Sequence, residues 1–262
     1  MVDFQCKQQY DFQDLEQIMA LLRAPGGCPW DREQTHESIR RNMLEEAYEV
    51  VEAIDEQDPV HLQEELGDVL LQVVFHACMA QEKGWFSLDD VVNGVAQKLV
   101  FRHPHVFGSV DADDTEKALN TWDAQKQVEK GQKTVGDTLD AVPHALPALM
   151  RAEKIQNKAR KAGFDWDETS RAVDKLSEEV EELKQAIREC SNTQEELGDV
   201  LFAAAKVGRF LDIDSEQALH GTCEKFIRRF RQVEQQAGDK PLTDFPLSQL
   251  EEMWAKAKES ET

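Results

Sequence analysis

Glu64-Glu65-Leu66-Gly67-Asp68-Val69-Leu70 recurs letter for letter as Glu195-Glu196-Leu197-Gly198-Asp199-Val200-Leu201. Upstream of the first copy stands Leu44-Glu45-Glu46-Ala47-Tyr48-Glu49, then Ala53-Ile54. Ser177-Glu178-Glu179-Val180-Glu181-Glu182, then Ala186-Ile187, holds the same order before the second. Downstream, Lys98 and Arg102 are matched by Lys225 and Arg229, and Trp122 with Lys126 by Trp254 with Lys258. Matched positions keep an offset of roughly 130 residues, with the small drift that loop insertions add, so the chain is a tandem duplication.

Within each half the apolar residues recur with helical period. Leu44, Ala47, Val51 and Ile54 mark one segment, and Leu66, Val69, Leu70, Val73, Val74 and Ala77 mark the next. No segment alternates as a half-buried strand would, so the fold class is all-α. Helices are expected near 8–23, 37–56, 59–83, 87–102 and 115–130, then near 147–162, 168–190, 192–211, 214–237 and 247–260. Gly131, Gly136, Pro143 and Pro147 punctuate the junction. The expected organisation is a helical bundle over 1–130, a linker over 131–146 and a second bundle over 147–262.

Composition narrows the function. Against 30 Lys plus Arg stand 52 Asp plus Glu, a formal charge of −22. Such a surface repels phosphate backbones and anionic lipid, which argues against nucleic-acid polymers and membranes as partners. No run reaches the ~18 apolar residues of a membrane span and the first residues lack a secretory signal, so a cytoplasmic protein is expected. Cys6, Cys28, Cys78, Cys190 and Cys223 are scattered and form no CxxC pair; they read as reduced thiols, buried or incidental.

The repeat also carries the chemistry. Glu46 and Glu49 are three apart on one expected helix, and Glu65 and Asp68 are three apart on the next. Such residues are neighbours on a helix surface, and two antiparallel helices can bring both pairs together. The second half repeats the set as Glu179, Glu182, Glu196 and Asp199. An ExxE pair is ordinarily a solvated helix face. Here, however, the carboxylates match between halves while neighbours differ, as Tyr48 against Glu181 and Val51 against Lys184. Four clustered carboxylates call for cations, and an oxygen-only set suits Mg²⁺, with Mn²⁺ able to substitute. Magnesium in turn points to a phosphate ligand.

These residues, with Cys28-Pro29-Trp30-Asp31, His103-Pro104-His105-Val106-Phe107 and Gly163-Phe164-Asp165-Trp166, resemble the MazG nucleoside triphosphate pyrophosphohydrolases over nearly the whole chain. The resemblance implies an all-α, magnesium-dependent homodimer that cleaves nucleoside triphosphates to monophosphate and pyrophosphate. It implies that Glu179, Glu182, Glu196 and Asp199 bind the metal; phosphoryl transfer also needs a carboxylate to activate water, and Glu178 or Glu179 is expected in that role. Lys225 and Arg229 are then expected on the phosphates, Lys175 beside them, and Trp254 and Lys258 on the nucleotide. It further implies that the C-terminal half is the catalytic one. Yet the N-terminal half keeps a complete second set, Glu46, Glu49, Glu65 and Asp68 for metal and Lys98, Arg102, Trp122 and Lys126 for substrate.

Other features carry less. His103 and His105 flank Pro104 without a third ligand and read as a structural turn. Trp30 and Trp166 read as core anchors at loop-to-helix junctions. Gly131 and Gly136 have phosphate-loop spacing, but Asp137 stands where Lys is required, which rejects that motif. A di-iron carboxylate bundle needs Glu-x-x-His twice, whereas the chain has it once, at Glu33 and His36 in an expected loop. An acidic helical adaptor is the remaining alternative; the Lys, Arg and Trp positions that recur beside both carboxylate sets stand against it.

Overall fold

A computed structural model describes residues 4–109 and 114–260 of the chain. Among the described residues there are thirteen α-helices, one 3-10 turn and no strand. The contacts divide into two compact units, Met1–Lys126 and Gln127–Thr262.

In the first unit, α1 (Phe12–Arg23) packs on α4 (Pro59–Glu82), and α3 (Arg40–Asp55) pairs with α4. Short α2 (Pro29–Glu33) packs on α1, α5 (Leu88–Arg102) meets α4 and the short α6 (Pro104–Phe107), and α7 (Thr115–Glu129) follows. The core gathers Met19, Ile39, Val74, Phe75, Ala77, Met79 and Leu88. Asp11 and Asp58 cap α1 and α4, each accepting two backbone N–H bonds.

In the second unit, α8 (Val135–Asp140) lies on α9 (Ala148–Lys161), which also meets α11 (Thr193–Phe210) and α12 (Ser215–Ala237). The longest contact joins α10 (Thr169–Glu189) to α11, and α12 pairs with α13 (Leu247–Glu259). The division between units falls inside α7, and the stretch 131–146, expected as a linker, carries α8. Thr134 and Asp137 form the capping box that starts α8, so the aspartate in the rejected phosphate-loop spacing serves a helix end.

The duplication extends to backbone detail. Three residues join α3 to α4 and three join α10 to α11, which forces each pair to run antiparallel. The matched residues Gln57 and Cys190 adopt the left-handed conformation, at φ 55° and 51°. That reverses the chain tightly without glycine, at a cost of about 1–2 kcal/mol each.

Three helices were not anticipated, and each has a local cause. Proline opens α2 and α6, where its missing N–H costs nothing. Pro104 thus ends one helix and starts the next, and His103 Nδ1 donates to the Leu99 carbonyl at that joint, at 2.6 Å. Trp30 departs from expectation: at 58% exposure it is no core anchor, and no residue of the five-residue α2 is buried. None of the five cysteines is in a disulfide; Cys6, Cys190 and Cys223 are exposed and the other two half-buried. On α3, the periodic apolar residues Leu44, Ala47, Val51 and Ile54 are all exposed, and only Ala53 is buried. No described helix is long and apolar enough to cross a membrane.

Candidate functional site

Each long antiparallel pair carries one acidic centre. In the second unit, carboxylate oxygens of Glu179 from α10 and of Glu196 and Asp199 from α11 lie within 4.8 Å of one another. Glu182 stands one turn along α10 from Glu179. Desolvation, then the charge of Glu179, pushes its carboxyl above the usual range. Glu179 is buried, Glu196 half-buried and Asp199 exposed, so the centre opens to solvent along its α11 side.

Lys175, one turn before Glu179, sets its Nζ 2.9 Å from both Glu178 Oε1 and Glu179 Oε1. These hydrogen bonds, to Glu178 first and Glu179 next, hold the ammonium far above the ordinary lysine range. From the other helix, Asn192 Nδ2 donates to Glu196 Oε1 at 2.8 Å.

The first unit assembles Glu46 and Glu49 from α3 with Glu65 from α4 under the same 4.8 Å limit. Burial raises the Glu46 carboxyl, followed by the charges of Asp68, Glu49 and Glu65. Burial and then Glu49 do the same to Glu65. Asp68 therefore acts on the centre from its edge, as Glu182 does in the other unit. Glu65 is buried and its Oε2 has no hydrogen-bond partner. His61 Nε2 lies 3.2 Å from Glu65 Oε1, and its Nδ1 lies 3.6 Å from Glu56 Oε2.

The expected substrate residues fall into two groups. In the first unit Arg102 and Lys126 converge on one ring, 5.1 Å and 4.6 Å from the Trp122 centroid, while Lys98 is exposed on α5. In the second unit Lys225 and Arg229 are half-buried on α12, and Lys258 is exposed on α13. Trp254 packs on Phe226 of α12, centroids 4.9 Å apart, tying α13 to that helix.

Two residues that orient the centres, His61 and Asn192, were not singled out from the sequence. A signal existed, because each stands four residues before its glutamate, Glu65 or Glu196, at matched places in the repeat. The donors in both centres are carboxylate oxygens alone, a set that fits a hard divalent cation. The unpartnered buried Oε2 of Glu65 is likewise a donor atom without its complement.

An all-α chain built twice on one plan, each copy carrying an acidic centre between paired antiparallel helices, defines a narrow class. The MazG nucleotide pyrophosphohydrolase domain matches it twice, over residues 34–107 and 168–234. The chain belongs to the MazG nucleotide pyrophosphohydrolase family. It is 43% identical over 249 residues to the nucleoside triphosphate pyrophosphohydrolase/pyrophosphatase MazG of Thermotoga maritima, covering 94% of this chain and 95% of that protein. It is 44% identical over 251 residues to the nucleoside triphosphate pyrophosphohydrolase of Escherichia coli strain K12, covering 93% and 95%. With the nucleoside triphosphate pyrophosphohydrolase of Mycolicibacterium smegmatis it shares 36% identity over 203 residues, covering 75% of this chain and 60% of that one.

Proposed function

We propose that this chain hydrolyses ribo- and deoxyribonucleoside triphosphates to the monophosphate and pyrophosphate, with Mg²⁺ as cofactor, in cytoplasmic nucleotide-pool housecleaning or control of nucleotide levels. The observation that carries the reading is the carboxylate centre with Lys175 hydrogen-bonded at its rim, in a family of that activity. Glu179, Glu182, Glu196 and Asp199 would hold the metal in the second unit, and Glu46, Glu49, Glu65 and Asp68 in the first. When bound, the ion supplies positive charge to phosphate oxygens and so lowers the barrier to attack by water.

The remaining work falls to the chain's own side chains. Arg229 can fork two bonds to a phosphate, while Lys225 adds a point charge. Glu178 or Glu179 accepts the proton as water oxygen bonds to phosphorus and the α–β anhydride bond breaks, its electron pair leaving on the bridging oxygen. Asn192 and Lys175 keep Glu196 and Glu179 oriented beforehand.

Product analysis tests this directly. Purified protein with Mg²⁺ should release nucleoside monophosphate and pyrophosphate; orthophosphate with a diphosphate would overturn the reading. Chelation should stop turnover while far-ultraviolet circular dichroism stays unchanged, because the first unit's helices rest on an apolar core that includes none of the carboxylates.

A homodimer belongs to the same proposal. The apolar row of α3 is exposed, as are Val91, Val92, Val95 and Leu99 on α5, and rows of this kind suit burial against a second copy with two-fold symmetry.

A further inference from the structure

At the far end of α11 from the acidic centre, the turn into α12 meets α9 around a cavity of about 330 Å³, within the range that holds a small-molecule ligand. Arg209 marks the distance: it stands ten residues beyond Asp199 on α11, about 15 Å at 1.5 Å rise per residue. Glu153, Asn157 and Arg160 line one wall, along a single face of α9. Arg209, Asp212, Ile213 and Asp214 supply the other.

The charges on these walls stand apart. Glu153 and Arg160 lie about 10 Å apart along their helix, beyond the three- or four-residue spacing of an intrahelical pair. Among the described residues no ion pair joins the carboxylates of the cavity to its arginines. Arg209 Nη2 instead meets Asp165 at 2.7 Å, its side chain is 7% exposed, and its Nε has no hydrogen-bond partner. A buried donor without an acceptor, in the wall of a cavity, calls for a group that the chain itself does not supply.

The repeat shows what is particular to this wall. In the first unit the Ala80 carbonyl accepts from the Lys83 and Trp85 amides, and Gly84 between them takes φ 67°. In the second unit the Gly208 carbonyl accepts from Leu211 and Ile213, and the residue between them, Asp212, takes φ 56°. Glycine fills this left-handed position without strain, whereas an aspartate bears it. The same turn is therefore built in one unit with no side chain and in the other with a carboxylate on a cavity wall.

Separated acids and bases around one cavity suit a ligand that carries both signs itself. An α-carboxylate fits the Arg160 fork, an ammonium fits Glu153 or Asp212, and the Asn157 amide between Glu153 and Arg160 can donate to the first and accept from the second. Carboxylates outnumber arginines here and Arg209 is already paired with Asp165, so the complementary ligand has a net positive charge. We propose that this cavity binds a free basic α-amino acid, with Arg160 at its carboxylate and Glu153 and Asp212 at its two cationic ends. The site stands apart from the acidic centre, and the inference does not depend on the pyrophosphohydrolase reading.

Isothermal titration of the full chain tests it, in about 150 mM salt to screen diffuse attraction of cations to the acidic surface. L-lysine or L-arginine should bind once per chain, saturably, at millimolar concentration or below. Two truncated probes separate the walls: 1,5-diaminopentane lacks the carboxylate and L-norleucine lacks the side-chain ammonium. Each should bind about tenfold or more weakly than L-lysine, the worth of a hydrogen bond to a charged group. Arg160→Gln should weaken L-lysine by a similar factor, and so should Asp212→Asn, which keeps a residue that tolerates left-handed backbone.

No saturable binding of either amino acid overturns the site, as does equal affinity for 1,5-diaminopentane. Undiminished binding in both variants would put the ligand elsewhere on the acidic surface and overturns it too. Arg160 and Asp212 are exposed, so both variants should keep the far-ultraviolet circular dichroism of the wild type. If either fails to fold, Glu153→Gln takes its place with the same expectation.

Discussion

Lys175 and Asn42 occupy matched places in the repeat, each four residues before the first glutamate of its acidic centre, Glu179 or Glu46. Only Lys175 can place an ammonium on its centre, and there it bonds Glu178 and Glu179. At the level of single residues the two halves therefore differ in the charge beside the acidic centre. If the second centre does the catalysis, Glu179→Gln or Asp199→Asn should lower kcat about a hundredfold or more, because each removes a negative ligand from an ion worth several kcal/mol of charge stabilisation. Glu46→Gln and Asp68→Asn should leave most of the activity. Assaying all four variants on one triphosphate panel decides the matter, and equal losses in both halves would show two working sites. A second residue-scale expectation concerns acid. His36 Nδ1 and His76 Nδ1 are 2.8 Å apart, so one must donate while the other accepts. Burial and then His36 hold the His76 imidazole below its ordinary range. A depressed histidine pKa gives stability that is present above about pH 6.5 and is lost as pH falls through the folded-state value. Thermal melts from pH 7.5 to 5 should show a falling Tm in the first unit, with a shallower slope in His76→Gln.

At the scale of elements, the two three-residue turns decide how each acidic centre closes. Cys190 holds φ 51° at the end of α10, where glycine would be unstrained. Cys190→Gly should stabilise the second unit by about 1 kcal/mol, read as a higher midpoint in urea, whereas Cys190→Val should lower it. Removing the Asp58 cap with alanine should cost about 1 kcal/mol in the first unit. The long helices were legible because their apolar period and flanking Asp, Pro and Gly agree, and the acidic centres were legible because the repeat separates kept carboxylates from drifting neighbours. What escaped was short or depended on tertiary contact. Helices α2, α6 and α8 run only four to six residues, too few for a period to show. His61 and Asn192 act through the glutamates they contact, so only their matched place four residues before Glu65 and Glu196 marks them in the sequence, and Trp30 and Trp166 cannot be told inward from outward until the helices after them are placed.

At the scale of the whole molecule, the proposed dimer can be checked by light scattering, which should give twice the 29.9 kDa chain mass. A dilute monomer with full activity would contradict it. The exposed aliphatic rows on α3 and α5 bear on solution behaviour in a further way. A chain with a formal charge of −22 keeps its copies apart over a Debye length of about 30 Å at 10 mM salt but only about 8 Å at 150 mM. Ionic strength therefore acts as a dial on these aliphatic surfaces. Low-salt stocks should stay dispersed because repulsion reaches farther than contact, and added salt should let the rows find one another.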